Sequence, residues 1–258
     1  MARVIAIANQ KGVVGKTTTA VNLSASLATA EKRVLLIDFD PQGNATSGVG
    51  IHRNGAGGLY QSLINREGFH ALIKDTEIPF LKAIPSSRDL TGAEVELVGD
   101  SAREYRLKEC IKGLKDNFDY IFIDCPPSLS LLTVNALVAA DSVLIPLQCE
   151  YYALEGIRDI LSTIELIRAR LNPMLSIEGI ILTMFDARNN LSHQVADEAR
   201  EHFGEKAFQT VIPRNVRLSE SPSFGKPIIL YDVQSKGALC YMDLARELVL
   251  RENTNKIK

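Results

Sequence analysis

The stretch "NQKGVVGKTTTA", from Asn9 to Ala20, sets Gly12, Gly15, Lys16 and Thr17 between a short apolar run and a helix-like segment. Backbone N–H groups of such a loop, opening onto a helix N-terminus, can surround phosphate oxygens. At this spacing Lys16 reaches β and γ groups, and the Thr17 hydroxyl can hold magnesium. The usual spacing G-x-x-x-x-G-K-S/T would put its first glycine at Gln10, so this loop is a variant, with a second lysine at Lys11. A glycine-rich turn with an incidental lysine is the plainer alternative, but here strand, loop and helix fall in register. Chemistry on a metal-bound phosphate also needs carboxylates. "YIFIDCPPS" ends on Asp124, the place of a direct or outer magnesium carboxylate, and "LLIDFDPQGN" ends on Asp38 and Asp40. For Asp38 a turn-forming role competes with the chemical one. Pro126 and Pro127 stiffen the next segment, as suits a loop that moves as a unit when a γ-phosphate leaves.

These groups can meet only if several strands end together. The runs "RVIAIA", "RVLLIDF", "YIFIDCP", "SVLIPL" and "IEGIILTMF" are short, continuously apolar and separated by helix-length segments. That pattern predicts strands buried on both faces and joined by crossover helices, hence a mostly parallel sheet flanked by helices. In such a sheet ligands lie beyond the carboxyl ends of the strands. "KTTTAVNLSASLATA" is expected to be the first helix, with a buried face made by Val21, Leu23, Ala25, Leu27 and Ala28. "LSLLTVNALVAA" and "LEGIRDILSTIELIRARL" are further helices, the second facing the core through Ile157, Ile160, Leu161, Ile164 and Ile167. The glycine-rich "GIHRNGAGGLY" is too short to be a linker, so residues 1–258 are expected to form one domain.

A chain of 258 residues with 46% hydrophobic and 23% charged residues has material for a real core. Its formal net charge of -2 gives no global basic field, so nucleic-acid binding would need a local patch. Cys110, Cys125, Cys149 and Cys240 show no C-x-x-C or zinc spacing, which suits reduced core thiols in a cytoplasmic protein. The opening "MARVIAIANQ" is too short an apolar run for a signal peptide, and "LLTVNALVAADSVLIPL" is interrupted by Asn135, Asp141 and Pro146. No membrane crossing is expected.

Taken together, the phosphate loop, "RVLLIDFDPQGNATSGVG", "DYIFIDCPPSLSLLTVNAL" and "IPRNVRLSESPSFGKPIILYD" resemble the ParA/Soj group of deviant Walker ATPases, which act in chromosome and plasmid partition. The resemblance runs from Arg3 to about Ala245. It implies a P-loop NTPase fold, ATP and ADP with magnesium as ligands, slow hydrolysis, and a homodimer that closes on two ATP molecules. It further implies non-specific binding of double-stranded DNA over the nucleoid and a ParB-type partner that stimulates hydrolysis. By motif position, Lys11 matches the lysine that reaches the neighbour's phosphates. Gly12, Val13, Val14, Gly15, Lys16, Thr17 and Thr18 form the phosphate cradle. Asp40 would orient the attacking water, and Thr17, Asp40 and Asp124 would serve the metal. Glu150 would meet the partner's nucleotide or the interface. Pro213, Asn215 and Met184 would line an adenine pocket, Met184 being equally readable as a core methionine. Arg188, Arg217, Lys226 and Lys236 match a DNA-backbone patch, although any lone loop cation is commonly just solvated.

One position departs from the family pattern K-G-G-x-G-K-T: its second glycine is Val13. A β-branched residue opposes the unusual φ that glycine permits and takes space where a phosphate or another backbone approaches. In a permitted backbone conformation its methyls would point at the γ-phosphate or the twofold interface, so that nucleotide binding survives while ATP-driven dimer closure or hydrolysis is weakened; a monomer and a dimer both stay open. A side chain tolerated in solvent is the alternative. Rival readings of the whole chain are a MinD-like membrane ATPase, disfavoured because "ARELVLRENTNKIK" lacks a useful terminal apolar face, and an iron–sulfur carrier of the nitrogenase iron protein type. The latter lacks the cluster spacing around Cys125 and Cys149, and Pro127 stands at an expected ligand. An ATP-dependent ligase or synthase is weakened by Lys11.

Overall fold

The computed structural model describes residues 1–52, 58–150 and 153–257. Residues 53–57, within "GIHRNGAGGLY", lie outside the described residues. The strands are β1 (Arg3–Ile7), β2 (Val34–Asp38), β3 (Lys74–Asp75), β4 (Leu81–Ile84), β5 (Tyr120–Asp124), β6 (Ser142–Gln148), β7 (Ser176–Phe185) and β8 (Ala207–Pro213). They form an eight-stranded sheet in the order β3-β4-β2-β5-β1-β6-β7-β8. Every pairing is parallel except that of the edge strand β3 with β4. The five apolar runs read from the sequence are β1, β2, β5, β6 and β7, all in the interior of the sheet.

Alternate residues of the central strands feed two cores, as the period of two in a strand requires. Val4, Ala6, Leu35, Ile37, Ile121 and Ile123 face one; Ile5, Ile7, Leu36 and Phe122 face the other. The first face is covered by α3 (Gly58–Asn65), α4 (Leu90–Glu96), α5 (Arg106–Ile111), α6 (Leu131–Ala139), α7 (Ala153–Arg170) and α8 (Asn190–Phe203). The second is covered by α1 (Lys16–Thr29), α2 (Asn44–Gly48), α9 (Val216–Glu220), α10 (Ile228–Tyr231) and α11 (Lys236–Ile257). Ile157, Ile160, Ile164 and Ile167 of α7 are buried as expected from their spacing.

Helix α1 differs from the expected single buried face: Thr19, Asn22, Ser24 and Ser26 are buried along with Leu23, Ala25 and Leu27. The cause is α11 together with α10, which pack against α1 on the same face of the sheet, α11 also lying against β8. Thr19 and Tyr241 share a hydrogen bond of 3.2 Å between hydroxyls, and the Asn22 side chain accepts from the Ile228 N–H at 2.7 Å. Small residues let the helices approach, and the polar ones are partly satisfied by these neighbouring helices. Residues Tyr241, Leu244 and Leu248 supply its apolar side.

The same terminal helix is held to the sheet by charge. Glu247 accepts from the N–H groups of Gln209 and Thr210 at 2.9 Å each and from the Thr210 hydroxyl at 2.8 Å, while Arg251 pairs with it at 2.7 Å. Burial works against its charge, but these donors outweigh burial and hold the carboxyl below its ordinary range. A carboxylate of this kind contributes stability above its unfolded pKa and loses it as the pH falls. Glu247→Gln is therefore expected to cost about 2 kcal/mol near neutral pH, with the deficit shrinking as urea titrations are repeated at progressively lower pH through the carboxylate range. A pH-independent deficit would contradict this.

Candidate functional site

Sheet register brings the acidic strand ends together. Asp124 pairs with Ile7 on one side and with Asp38 on the other, so the strand that leads into the glycine loop and the two acidic strands finish at one level. Asp38 is buried and accepts from both the N–H and the hydroxyl of Thr46 at 2.6 Å, and from the Asp40 N–H at 3.3 Å. Thr46 in turn accepts from the Ser86 N–H at 2.9 Å, and the Ser86 hydroxyl donates to the Asp40 carbonyl at 2.5 Å. Asp38 thus builds the loop that carries Asp40, which bears out the turn-forming side of its sequence reading. Asp40 is 7% exposed, and its carboxylate accepts from the Gln42 N–H at 2.9 Å.

Asp124 is fully buried, and neither carboxylate oxygen has a well-formed hydrogen bond. Burial, then the neighbouring Asp38, push its carboxyl far up from the ordinary range, while Thr17 and Lys16 beside it pull down. Burial likewise lifts Asp38 to about 6 despite its Thr46 donors. Lys16 sits among these carboxylates, 7% exposed; desolvation lowers its pKa, and Asp124 and Asp40 only partly restore it. Its ammonium donates to the Lys11 carbonyl at 2.7 Å, closing the loop upon itself. Orphaned carboxylate oxygens beside a threonine hydroxyl fit a hard divalent cation that also takes phosphate oxygens. Among the described residues no cluster of His, Cys, Asp and Glu could bind a metal without such help.

Helix α1 starts at Lys16 with Gly15 in the left-handed region, φ 86°, so the chain turns sharply into the helix N-terminus. Val13 also lies in the left-handed region, φ 56°, with its side chain 83% exposed. The permitted backbone conformation that would aim its methyls at the γ-phosphate is therefore not adopted: valine occupies a glycine conformation and holds its methyls in solvent. A further link was not anticipated from sequence: Thr183, at the carboxyl end of β7, donates through its hydroxyl to the Val14 carbonyl at 2.9 Å. A threonine just inside the end of a parallel strand was the available signal.

Beside the loop, a cleft of about 740 Å3 is lined by Gly15, Thr18, Thr183, Met184, Arg188, Pro213, Arg214, Asn215 and Tyr241. Met184, Pro213 and Asn215 meet there; Met184 is half-buried at φ 52° and is no core methionine. The Asn215 side-chain oxygen caps α9 by accepting from the Arg217 N–H at 2.9 Å, leaving its amide hydrogens for other partners. Glu150 is exposed and pairs with Arg214 of the cleft wall at 3.0 Å. Arg188 sits at this cleft as well, paired with Asp186, whose carboxyl it holds down at about 2. Arg217 pairs with Glu220 and Asp232, and Lys226 with Glu77 at 3.7 Å. Lys236 opens α11, exposed. Cys125 and Cys149 are buried thiols, raised by burial.

A family model described as an AAA domain matches residues 2–177. A chromosome partitioning protein ParA from Myxococcus xanthus is 59% identical over 251 residues, covering 97% of this chain and 89% of that protein. The sporulation initiation inhibitor protein Soj of Bacillus subtilis is 57% identical over 249 residues, covering 96% and 98%. Among solved structures, a cobyrinic acid a,c-diamide synthase from Mycobacterium smegmatis with bound ATP analogue and magnesium is 34% identical with a TM-score of 0.86, over 99% of this chain and 97% of that one.

The left-handed conformation costs an L-residue about 1–2 kcal/mol, whereas glycine costs about 0.4–1 kcal/mol more unfolded-state entropy. Strain wins. Val13→Gly is expected to stabilise the nucleotide-free protein by about 1 kcal/mol, read as a higher urea midpoint with unchanged slope; an unchanged or lower midpoint would refute the strain.

Proposed function

The chain belongs to the ParA/Soj family of chromosome-partitioning ATPases, and from that premise we propose that it is a nucleotide-timed partition switch: ATP joins two copies, the joined surface holds DNA, and hydrolysis releases them. It is a P-loop ATPase that works with ATP, ADP and magnesium. The observation that carries the reading is the convergence of a phosphate loop, a buried Lys16, two strand-end carboxylates and a base-sized cleft at one edge of the sheet. Identity of 57–59% to partition proteins, against 34% to the synthase, favours partition over ligase chemistry.

In this reading Gly12 to Thr18 cradle the phosphates, and Lys16 exchanges the Lys11 carbonyl for the β and γ oxygens. Thr17, Asp124 and Asp40 would hold magnesium, which would offset negative charge developing on the phosphates. Asp40, held by the Thr46–Ser86 network, orients the attacking water, and Lys11 reaches the partner copy's phosphates. Met184, Pro213 and Asn215 hold the base, and Glu150 stands toward the interface. Arg188, Arg217, Lys226 and Lys236 contact DNA phosphates, and a ParB-type partner speeds hydrolysis. Three of these four cations are paired with carboxylates of the same chain, so one copy is a poor polyanion ligand, and dimerisation must supply the additional contacts. A site over the nucleoid in the cytoplasm follows from that role. Among the described residues no helix is long and apolar enough to cross a membrane. The apolar side of α11 is spent on the core, which disfavours a MinD-like surface anchor. Val13, exposed on the crest of the loop, is what a closing partner copy would have to cover, and in this reading it hinders closure there.

Size-exclusion chromatography with ADP, then with ATP under hydrolysis-blocking conditions, tests the switch. Val13→Gly should shift to a dimer with ATP alone and then bind DNA in a steeply salt-dependent manner, while the Val13 protein dimerises less. Identical elution of the two proteins would remove the role given to valine, and a dimer that ignores DNA would remove the partition reading. Separately, Asp124→Asn should stabilise the ligand-free protein, since a desolvated carboxylate is lost, and should erase the magnesium dependence of nucleotide affinity. Retained magnesium dependence would take Asp124 out of the metal site.

A further inference from the structure

The exposed crest of the phosphate loop is bound to the body of the protein just before and just after it. After it, Thr183 holds the Val14 carbonyl. Before it, the Gln10 side-chain amide donates to the Thr163 hydroxyl at 2.9 Å and to the Asp159 carbonyl at 3.2 Å, both on α7. The Thr163 hydroxyl donates its own proton to the Asp159 carbonyl at 3.0 Å, so it can meet Gln10 only as an acceptor. Thr163 is 6% exposed, on a helix anchored by buried isoleucines, which makes it a rigid post. Gln10 stands where the usual phosphate loop has glycine, a residue unable to make either bond. Its neighbour Asn9 is also committed, accepting from the Lys11 N–H at 3.0 Å and donating to the Pro146 carbonyl at 2.8 Å.

We propose that Gln10 and Thr163 form a latch through which α7 fixes the segment Lys11 to Val13, and that both are positioning residues for hydrolysis. Beyond the latch the crest is exposed, since a Cβ on Gly12 would meet nothing within 4 Å and Val13 projects into solvent, and Asn9 and Lys16 hold the Lys11 backbone between them. A lysine that must reach a phosphate of another copy from such a crest gains its precision from the fixed point directly behind it, and small misplacements of a reacting group are costly. The proposal rests on the role given to Lys11 above.

The test combines amide exchange over residues 9–15 with nucleotide affinity and turnover, in the parent and in the Val13→Gly background so that valine does not mask the effect. In Thr163→Val and Gln10→Ala the crest should exchange several-fold faster, magnesium-ATP affinity should stay within about twofold, and turnover should fall about tenfold. Thr163→Ser, which keeps the acceptor, should restore both. Parental exchange in Thr163→Val overturns the latch. Parental turnover there, in a background where Lys11→Ala abolishes turnover, overturns the positioning role. If Lys11→Ala itself leaves turnover intact, the reading of Lys11 falls, and exchange still decides the latch.

Discussion

Two carboxylates and an ammonium share a nearly dry corner where β2, β5 and the phosphate loop end, and the rest of the site is arranged around the cost of keeping them there. Asp38 and Asp124 are adjacent in register, and burial raises both carboxyls. Their fates differ because their donors differ. Asp38 has the Thr46 N–H and hydroxyl and becomes a fixed strut of the loop carrying Asp40. Asp124 has no well-formed hydrogen bond, so its lone pairs remain for a cation. Lys16 is desolvated by the same burial and only partly compensated. A bound triphosphate and its metal would resolve these imbalances together, which makes ligand affinity and local stability two aspects of one arrangement.

The loop above this corner combines tight anchorage with local strain. Gln10, Asn9 and Thr183 bind it to α7, β6 and β7, while Val13 occupies a backbone region that valine disfavours. Strain persists at a site when the surroundings over-determine the backbone, and here hydrogen bonds on either side do so. Met184 repeats the theme across the cleft: its left-handed backbone follows directly on Thr183, so the cleft and the phosphate loop share one tether.

Charge on the outer surface is arranged with restraint. Arg188, Arg217 and Lys226 each have an acidic neighbour, which keeps an isolated copy from presenting a bare basic patch. Exposed pairs of this sort are individually weak. Under the proposed function, a polyanion offering many contacts at once would displace them, and doubling the surface would give threshold behaviour.

The phosphate loop, the acidic strand ends and the five interior strands were legible in the sequence because each depends on local order: glycines and a lysine at fixed spacing, or apolar runs too short for anything but buried strands. Even the Asp38 alternative was visible as a choice. The outer strands β3 and β4 on one side and β8 on the other, and the short helices α3, α4 and α5, were not read, since their patterns are brief and their burial depends on what lies beside them. Helix α1 illustrates the limit: its sequence suggests one apolar face, but α11, more than two hundred residues away, makes it buried all round. Whether Met184 is core or cleft, whether Arg188 lies at that cleft, and whether Val13 keeps a comfortable backbone were likewise decided only by tertiary structure. Local sequence determines which groups are offered to a strand end or loop; long-range packing determines their dihedrals, partners and dielectric surroundings, because those arise from residues distant along the chain.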